Sequence, residues 1–244
     1  MTRRFAVAAG TYDADQVRIE GPLAHRMANV LRLRPGESVQ LFDGSGVEAR
    51  VVLESVHASA VAARVLTRMP GPPPGADVRL YVAVAKGERF DWLVEKATEL
   101  DVARIVPIVT ARSVVRAEGN ARVERWRRIA VEAAEQCGRG TLPAIDAPAR
   151  FADALASAEG VVVMPYEAAG PDASTVARAI ASITPAPSIV SVFIGPEGGF
   201  VPAEVERAVA AGGRLVTLGP RTLRVETAAL AALVLVNDAL RAAS

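Results

Sequence analysis

Seven residues, Met69-Pro-Gly-Pro-Pro-Pro-Gly75, constrain this chain more than any other stretch of it. Consecutive prolines lack the N–H that a helix or a central strand must donate, so no regular element is expected to run through them. The expected organisation is a first domain over residues 1–69, a Pro/Gly linker over 70–76 and a second domain over 77–244. The hydrophobic pattern differs on the two sides. Before the linker, short β-branched runs at Ser38 to Phe42, Val47 to Leu53 and Val61 to Leu66 are punctuated by Asp43-Gly44-Ser45-Gly46, as in a small β-barrel, with a helix-like insert around His25 to Leu33. After it, apolar strands alternate with amphipathic helices. Strands are expected at Val78 to Ala85, Arg104 to Val109, Val161 to Met164, Ile189 to Ile194 and Leu215 to Leu218. Helices are expected at Glu88 to Leu100, Val123 to Cys137, Ser174 to Ile183, Pro202 to Ala211 and Glu226 to Leu240. That alternation predicts an α/β domain with a parallel sheet covered by helices on both faces.

The 51% apolar content can fill real cores. Yet the longest apolar run, Ala228 to Val236, lies between Glu226 and Asp238 and is far short of the roughly 20 residues of a bilayer span, so it reads as a buried helix. No secretory signal follows Arg3 and Arg4, and a cytoplasmic protein is expected. One cysteine and two histidines exclude an internal disulfide and offer no metal cluster, so no metal is expected. In the helix over Val123 to Cys137 the cysteine continues the apolar stripe and reads as packed rather than reactive.

The net charge of +1 hides an asymmetry: residues 1–69 carry nine arginines and seven acids, and residues 70–244 carry 19 basic and 20 acidic side chains. Within the first part, Pro22 to Gly36 holds His25, Arg26, Arg32 and Arg34 and no acid, a local cationic surface of the kind that phosphate backbones select. A solvated helix face is the equal alternative. Of the 28 basic residues only Lys86 and Lys96 are lysines, and Lys86 falls at the end of the second domain's first strand.

Ligands of open parallel sheets bind beyond the carboxyl ends of the strands. The loops to inspect are therefore Pro165-Tyr166-Glu167, Gly195-Pro196-Glu197-Gly198-Gly199-Phe200 and Gly219-Pro220-Arg221-Thr222-Leu223-Arg224. Gly195, Gly198 and Gly199 let the backbone turn sharply and approach a ligand, with Pro202 suited to the first position of the next helix. The spacing matches neither the dinucleotide fingerprint nor the phosphate loop, which demotes nicotinamide and ATP chemistry.

Ile194-Gly-Pro-Glu-Gly-Gly199 followed by Leu218-Gly-Pro-Arg-Thr-Leu-Arg-Val-Glu-Thr-Ala228 resembles the C-terminal signature of the SPOUT methyltransferases, in particular the RsmE family. His25-Arg-Met-Ala-Asn-Val-Leu-Arg32 and Arg34-Pro-Gly36 look like that family's PUA-like N-terminal barrel. Lys86-Gly, Glu95-Lys-Ala-Thr-Glu-Leu100, Arg104-Ile-Val-Pro107 and Glu132-Ala-Ala-Glu-Gln-Cys-Gly-Arg139 look like its central motifs. The chain departs at Asp101, where a glycine is usual, and at Cys137, where a small hydroxyl residue is common.

The resemblance implies a trefoil knot in the second domain, a homodimer through the knotted domains, S-adenosylmethionine as cofactor and N3-methylation of a uridine in 16S ribosomal RNA, naked or in the assembled small subunit. The expected cofactor-binding set is Pro165, Tyr166, Glu167, Ile194, Gly195, Pro196, Glu197, Gly198, Gly199, Leu218, Gly219, Leu223, Arg224 and Thr227. The expected RNA-binding set is Arg3, Arg4, His25, Arg26, Arg32, Arg34 and Arg139.

Neutral uracil carries a proton on N3, so transfer needs that proton removed and the resulting charge on the carbonyls stabilised. Arg224, Arg221 and Lys86 are the expected catalytic residues, as charge stabilisers. Glu197 and Glu226 are the nearest candidate bases by sequence, and neither is assigned. Two other readings stay open: a non-catalytic RNA-binding or ribosome-assembly protein, and a related knotted enzyme acting on a ribose hydroxyl or another base.

Overall fold

The computed structural model describes residues 2–85, 87–113, 120–167 and 173–243. Cα proximity separates two compact units: residues 1–74 with 134–142, and residues 75–133 with 143–244. The segment 134–142 thus groups with the first unit although it follows the Pro/Gly stretch by some sixty residues.

The first unit is a five-stranded sheet in the order β1-β3-β4-β5-β2, where β1 is Arg4–Ala6, β2 Gln16–Glu20, β3 Ser38–Phe42, β4 Val47–Val56 and β5 Ala60–Pro70. Only β1 and β3 run parallel; β3, β4, β5 and β2 pair antiparallel. Register shifts at Arg50/Val51 and Leu53/Ser55 bend β4, which lets one strand serve a curved sheet. The alternation Val39, Leu41, Val51, Leu53, Val61 and Ala63 supplies the inner face, buried with Phe5, Met27 and Leu33. Pro70 ends β5 opposite Val47, so the strand penetrates the expected linker by one residue, at a terminal position that a proline tolerates. The helical insert starts earlier than expected. It runs over α1, Gly21–His25, with Pro22 in its first turn, and continues as a π-helical turn over Arg26–Val30. Arg32, at φ 51°, breaks it.

The second unit is a parallel sheet in the order β11-β13-β10-β12-β6-β7-β8, with β9 also on β7. Its main strands are β6 (Asp77–Ala83), β7 (Arg104–Val109), β10 (Val161–Pro165), β12 (Ile189–Ile194) and β13 (Arg214–Thr217); β8 (Ala144–Ile145), β9 (Ala149–Arg150) and β11 (Ser174–Thr175) are short. Helices α2 (Arg89–Glu99), α3 (Asn120–Cys137), α5 (Val176–Ala181) and α7 (Val225–Ala243) contribute to the core on one face. Helices α4 (Phe151–Ala156) and α6 (Pro202–Ala210) contribute to the other, where Tyr81 stacks on Phe193 at 4.4 Å between ring centroids and Phe151 meets Phe193 edge-on. Helix α4, six residues long, lies where no element is expected from the sequence. In α3, Val123, Trp126, Ala130, Ala133 and Ala134 are buried, but Cys137 is exposed, contrary to expectation. The buried stripe stops at Ala134, about one turn before the end of the helix at Cys137.

Candidate functional site

Three loops converge at the carboxyl ends of β10, β12 and β13, which are neighbours in the sheet. They line a half-open cleft of about 600 Å³, counting the solvent space at its mouth. From the first loop come Pro165, Tyr166 and Glu167, held by the Tyr166 N–H donating to the Val216 carbonyl at 3.0 Å. From the second come Ile194, Gly195, Pro196, Gly199 and Phe200. From the third come Thr217, Leu218, Gly219, Arg221, Thr222 and Leu223, followed by Val225 and Ala228 of α7.

The second loop turns at Pro196, whose carbonyl accepts from the Gly199 N–H at 2.8 Å. Gly199 has φ 68°, which favours glycine by itself, and a Cβ there would stand 2.8 Å from Glu167 Oε1, the movable end of an exposed side chain. Phe200 plunges into the aromatic core and lies against Gly195, where a Cβ would meet its ring at 3.1 Å. The third loop is shaped by the Thr217 hydroxyl, which accepts from the Gly219 N–H at 3.1 Å, and by Gly219 at φ 115°.

Of the expected cofactor set, Pro165, Tyr166, Glu167, Ile194, Gly195, Pro196, Gly199, Leu218, Gly219 and Leu223 line the cleft. Glu197, Gly198, Arg224 and Thr227 do not. Glu197 faces Arg89 at 3.9 Å with both side chains about half exposed, a pairing worth little. Gly198 lies under the side chain of Arg112. Thr227 instead borders an apolar surface formed by Trp92, Leu230, Val234 and Leu235 of α2 and α7. Phe200, Thr217, Thr222, Val225 and Ala228 line the cleft without having been singled out. The signal for Val225 and Ala228 was their spacing of three on the first turn of a helix entering the site.

Arg221 lines the cleft and Arg224 is exposed beside it in the chain. Glu226 stands in the first turn of α7, a position that an acid favours on helix-dipole grounds alone. Lys86 lies outside the described residues. Among the described residues no group of three His, Cys, Asp or Glu is placed to hold a metal ion, and no helix is long and apolar enough to cross a membrane.

In the first unit the arginines expected to meet RNA differ in what they bond. Arg4 donates to Glu48 Oε1 at 2.5 Å and to the carbonyls of Gly138 and Arg139, while Gln40 also bonds the buried Glu48. Arg26 donates to both oxygens of Glu135, at 2.8 and 2.6 Å, and lies over the Phe5 ring. These two guanidinium groups are committed inside the unit. Arg139 donates to the Thr141 hydroxyl and is half-buried. Arg3, His25, Arg32 and Arg34 are exposed, beside the exposed Val30 that ends the π-helical turn.

The profile of an RNA methyltransferase domain matches residues 72–237, and that of an RNA methyltransferase PUA domain matches residues 19–66. The chain is 34% identical to the ribosomal RNA small subunit methyltransferase E of Bacillus subtilis over 91% of its own length and 89% of that protein's. It is 34% identical to the Mycobacterium bovis protein of the same name, over 88% and 83%. Among solved structures, a methyltransferase from Legionella pneumophila in complex with the cofactor SAM superposes with a TM-score of 0.87 at 28% identity, covering 100% of this chain and 98% of the other. The ribosomal RNA small subunit methyltransferase E of Neisseria gonorrhoeae, bound to S-adenosylmethionine, superposes with a TM-score of 0.85 at 30% identity, covering 96% and 95%. With a parallel α/β domain that ends in this three-loop cleft, a PUA domain before it and relatives along its whole length, the chain is an RNA methyltransferase and belongs to the ribosomal RNA small subunit methyltransferase E family.

Proposed function

We propose that this protein transfers a methyl group from S-adenosylmethionine to N3 of a uridine in 16S ribosomal RNA. The observation that carries this reading is the cleft at the ends of β10, β12 and β13, built largely from backbone and apolar side chains and joined to a PUA domain. Its residues fit the cofactor. Gly195, Gly199 and Gly219 bring main chain to the wall of the cleft, Leu218, Leu223, Val225 and Ala228 offer apolar walls for an adenine ring, and the Glu167 carboxylate is an acceptor for hydroxyl or ammonium groups. The bound cofactor would supply an electrophilic methyl on a sulfonium.

The remaining chemistry falls to the chain. Losing the N3 proton spreads negative charge over the two flanking carbonyls of uracil, and a fixed guanidinium stabilises that charge without itself titrating. Arg221 is at the cleft and Arg224 is exposed three residues on, so this pair takes the role, with Lys86 as a further cation. Arg3, His25, Arg32 and Arg34 form the RNA-facing surface of the PUA domain, and Arg4, Arg26 and Arg139 support it from within.

The reading includes the knot and the dimer. In support of the knot, β13 lies outside β10 at one side of the sheet, while α7, which follows it directly, returns to pack on β12, β6 and α2. In support of a homodimer, Trp92, Val234 and Leu235 leave an exposed apolar face on α2 and α7. Light scattering on Val234→Glu reports on that interface: a wild-type dimer that becomes monomeric is expected, and a monomeric wild type refutes the interface. The chemistry is tested by incubating the protein and labelled S-adenosylmethionine with 16S RNA, naked or in small subunits, followed by nucleoside mass spectrometry. N3-methyluridine is expected, and a ribose-methylated product or no product overturns the reading.

A further inference from the structure

The glycine turn of the cleft is held from outside. Gly198 does not adopt a left-handed φ, so its backbone does not demand glycine. A Cβ there would stand 3.3 Å from Cδ and 3.5 Å from Cβ of Arg112, so the arginine stem would have to give by a few tenths of an ångström, and Arg112 Nη1 donates to the Gly198 carbonyl at 2.6 Å. Arg112 belongs to the loop after β7, which is separated from β12 in the sheet by β6. That loop is tied down a second time. Glu204, in the first turn of α6, accepts from the Ala111 N–H at 2.8 Å and, with its other oxygen, from the Val201 N–H at 3.0 Å. The contacts close a ring from Arg112 to Gly198, along the chain to Val201, through Glu204 and back to Ala111.

We propose that Arg112 and Glu204 are positioning residues for the cofactor, clamping the turn Pro196–Gly199 in the shape that the cleft presents. Neither side chain lines the cleft, so neither is a catalytic residue. A turn with two adjacent glycines has more conformational freedom to lose than any other, and a ligand that must order it binds more weakly by that loss. Arg112 orders it beforehand, by a charge-assisted hydrogen bond to the Gly198 carbonyl, with its stem lying over a residue without a side chain. The sequence reading of Gly198 as a place for ligand approach is thereby replaced by a role through Arg112. This inference rests on the reading of the cleft as an S-adenosylmethionine site.

Calorimetric titration of S-adenosylmethionine and of S-adenosylhomocysteine into the purified protein tests it without turnover. Arg112→Ala is expected to weaken both by about tenfold, the effect of one well-made hydrogen bond, with unchanged thermal melting and RNA affinity. Arg112→Lys, which keeps one donor on a flexible stem, should recover most of the loss. Gly198→Ala should weaken binding too, and the double variant should bind no worse than the weaker single one, because both changes act through one contact. If Arg112→Ala unfolds the domain, Glu204→Gln reads the same clamp from its other side and should weaken binding several-fold. Wild-type affinity in folded Arg112→Ala, or RNA affinity lost with cofactor affinity intact, overturns the proposal. A wild-type protein that binds no S-adenosylmethionine sinks the functional reading itself.

Discussion

The side-chain amide of Asn237 donates to the carbonyl oxygen of Leu100 at 3.0 Å, joining the buried face of α7 to the residue that ends α2. Carbonyls in the last turn of a helix have no partner within it, and Asn237 is buried, so the amide satisfies an acceptor that water reaches poorly. Asn237→Ala should destabilise the second unit by about 1–2 kcal/mol. Denaturant unfolding checks this, and an unchanged midpoint would show that water replaces the amide.

The arginines of the first unit expected to meet RNA should differ in the same way under mutation. Removing Glu48 strands the half-buried Arg4 cation, so Glu48→Ala should cost about 3–5 kcal/mol, as for one partner of a buried pair. Arg32→Ala and Arg34→Ala should leave unfolding unchanged and each reduce the salt-dependence slope of RNA binding by roughly one unit, through one lost phosphate contact. An unchanged slope would return both residues to a solvated surface.

Of Gly195, Gly198 and Gly199, only Gly199 has a left-handed φ. Gly199→Ala places a Cβ on a left-handed residue and against the Glu167 carboxylate. The strain, about 1–2 kcal/mol, should appear as weaker S-adenosylmethionine binding in calorimetry, because the turn relieves it by leaving the shape that the cleft requires. Undiminished affinity would mean that the turn is not a binding element.

Arg224→Ala should leave cofactor and RNA affinities within a few-fold and lower single-turnover methylation on the order of 100-fold, as for loss of a positioned charge. Arg224→Lys should restore little, since a point ammonium does not reproduce the planar fork. Cofactor binding lost in step with rate would move the role to Arg221, which lines the cleft.

Tyr12 and Asp43 give the first unit a stability window. Burial, and then its hydrogen bond to Asp43, push the Tyr12 phenol up to about 12. Burial works against the Asp43 charge, but hydrogen bonds from Ser45 and Tyr12 outweigh it and hold the carboxyl below its ordinary value. The Asp43 contribution is therefore present above its unfolded value of roughly 3.9 and lost as pH falls through the lower folded value. The Tyr12 contribution is present below roughly 10 and lost as pH rises through the folded value. Asp43→Asn should flatten the acid limb of unfolding against pH, and an identical acid limb would show that the Asp43 charge adds nothing to stability.

Local pattern alone placed Ser38 to Phe42, Arg104 to Val109 and Ile189 to Ile194 as the strands they are, and the family motifs named the three loops that meet at the cleft. Both are legible because strand periodicity and loop chemistry are written in neighbouring residues. Long-range partners are not. Arg4 and Arg26 read as RNA-facing cations, and only the fold brings Glu48 and Glu135 to them across 44 and 109 residues. Cys137 continued a buried stripe on paper, and the end of its helix exposed it. Gly198 looked like Gly195 and Gly199 in a glycine-rich run. Folding decided that one meets Phe200, one meets Glu167 and the third carries Arg112, a residue 86 positions away. Sequence determines which residues can turn, span or carry charge, and tertiary packing decides which of them face one another, because the distances that set an ion pair or a clamp exist only once the sheet has ordered its strands.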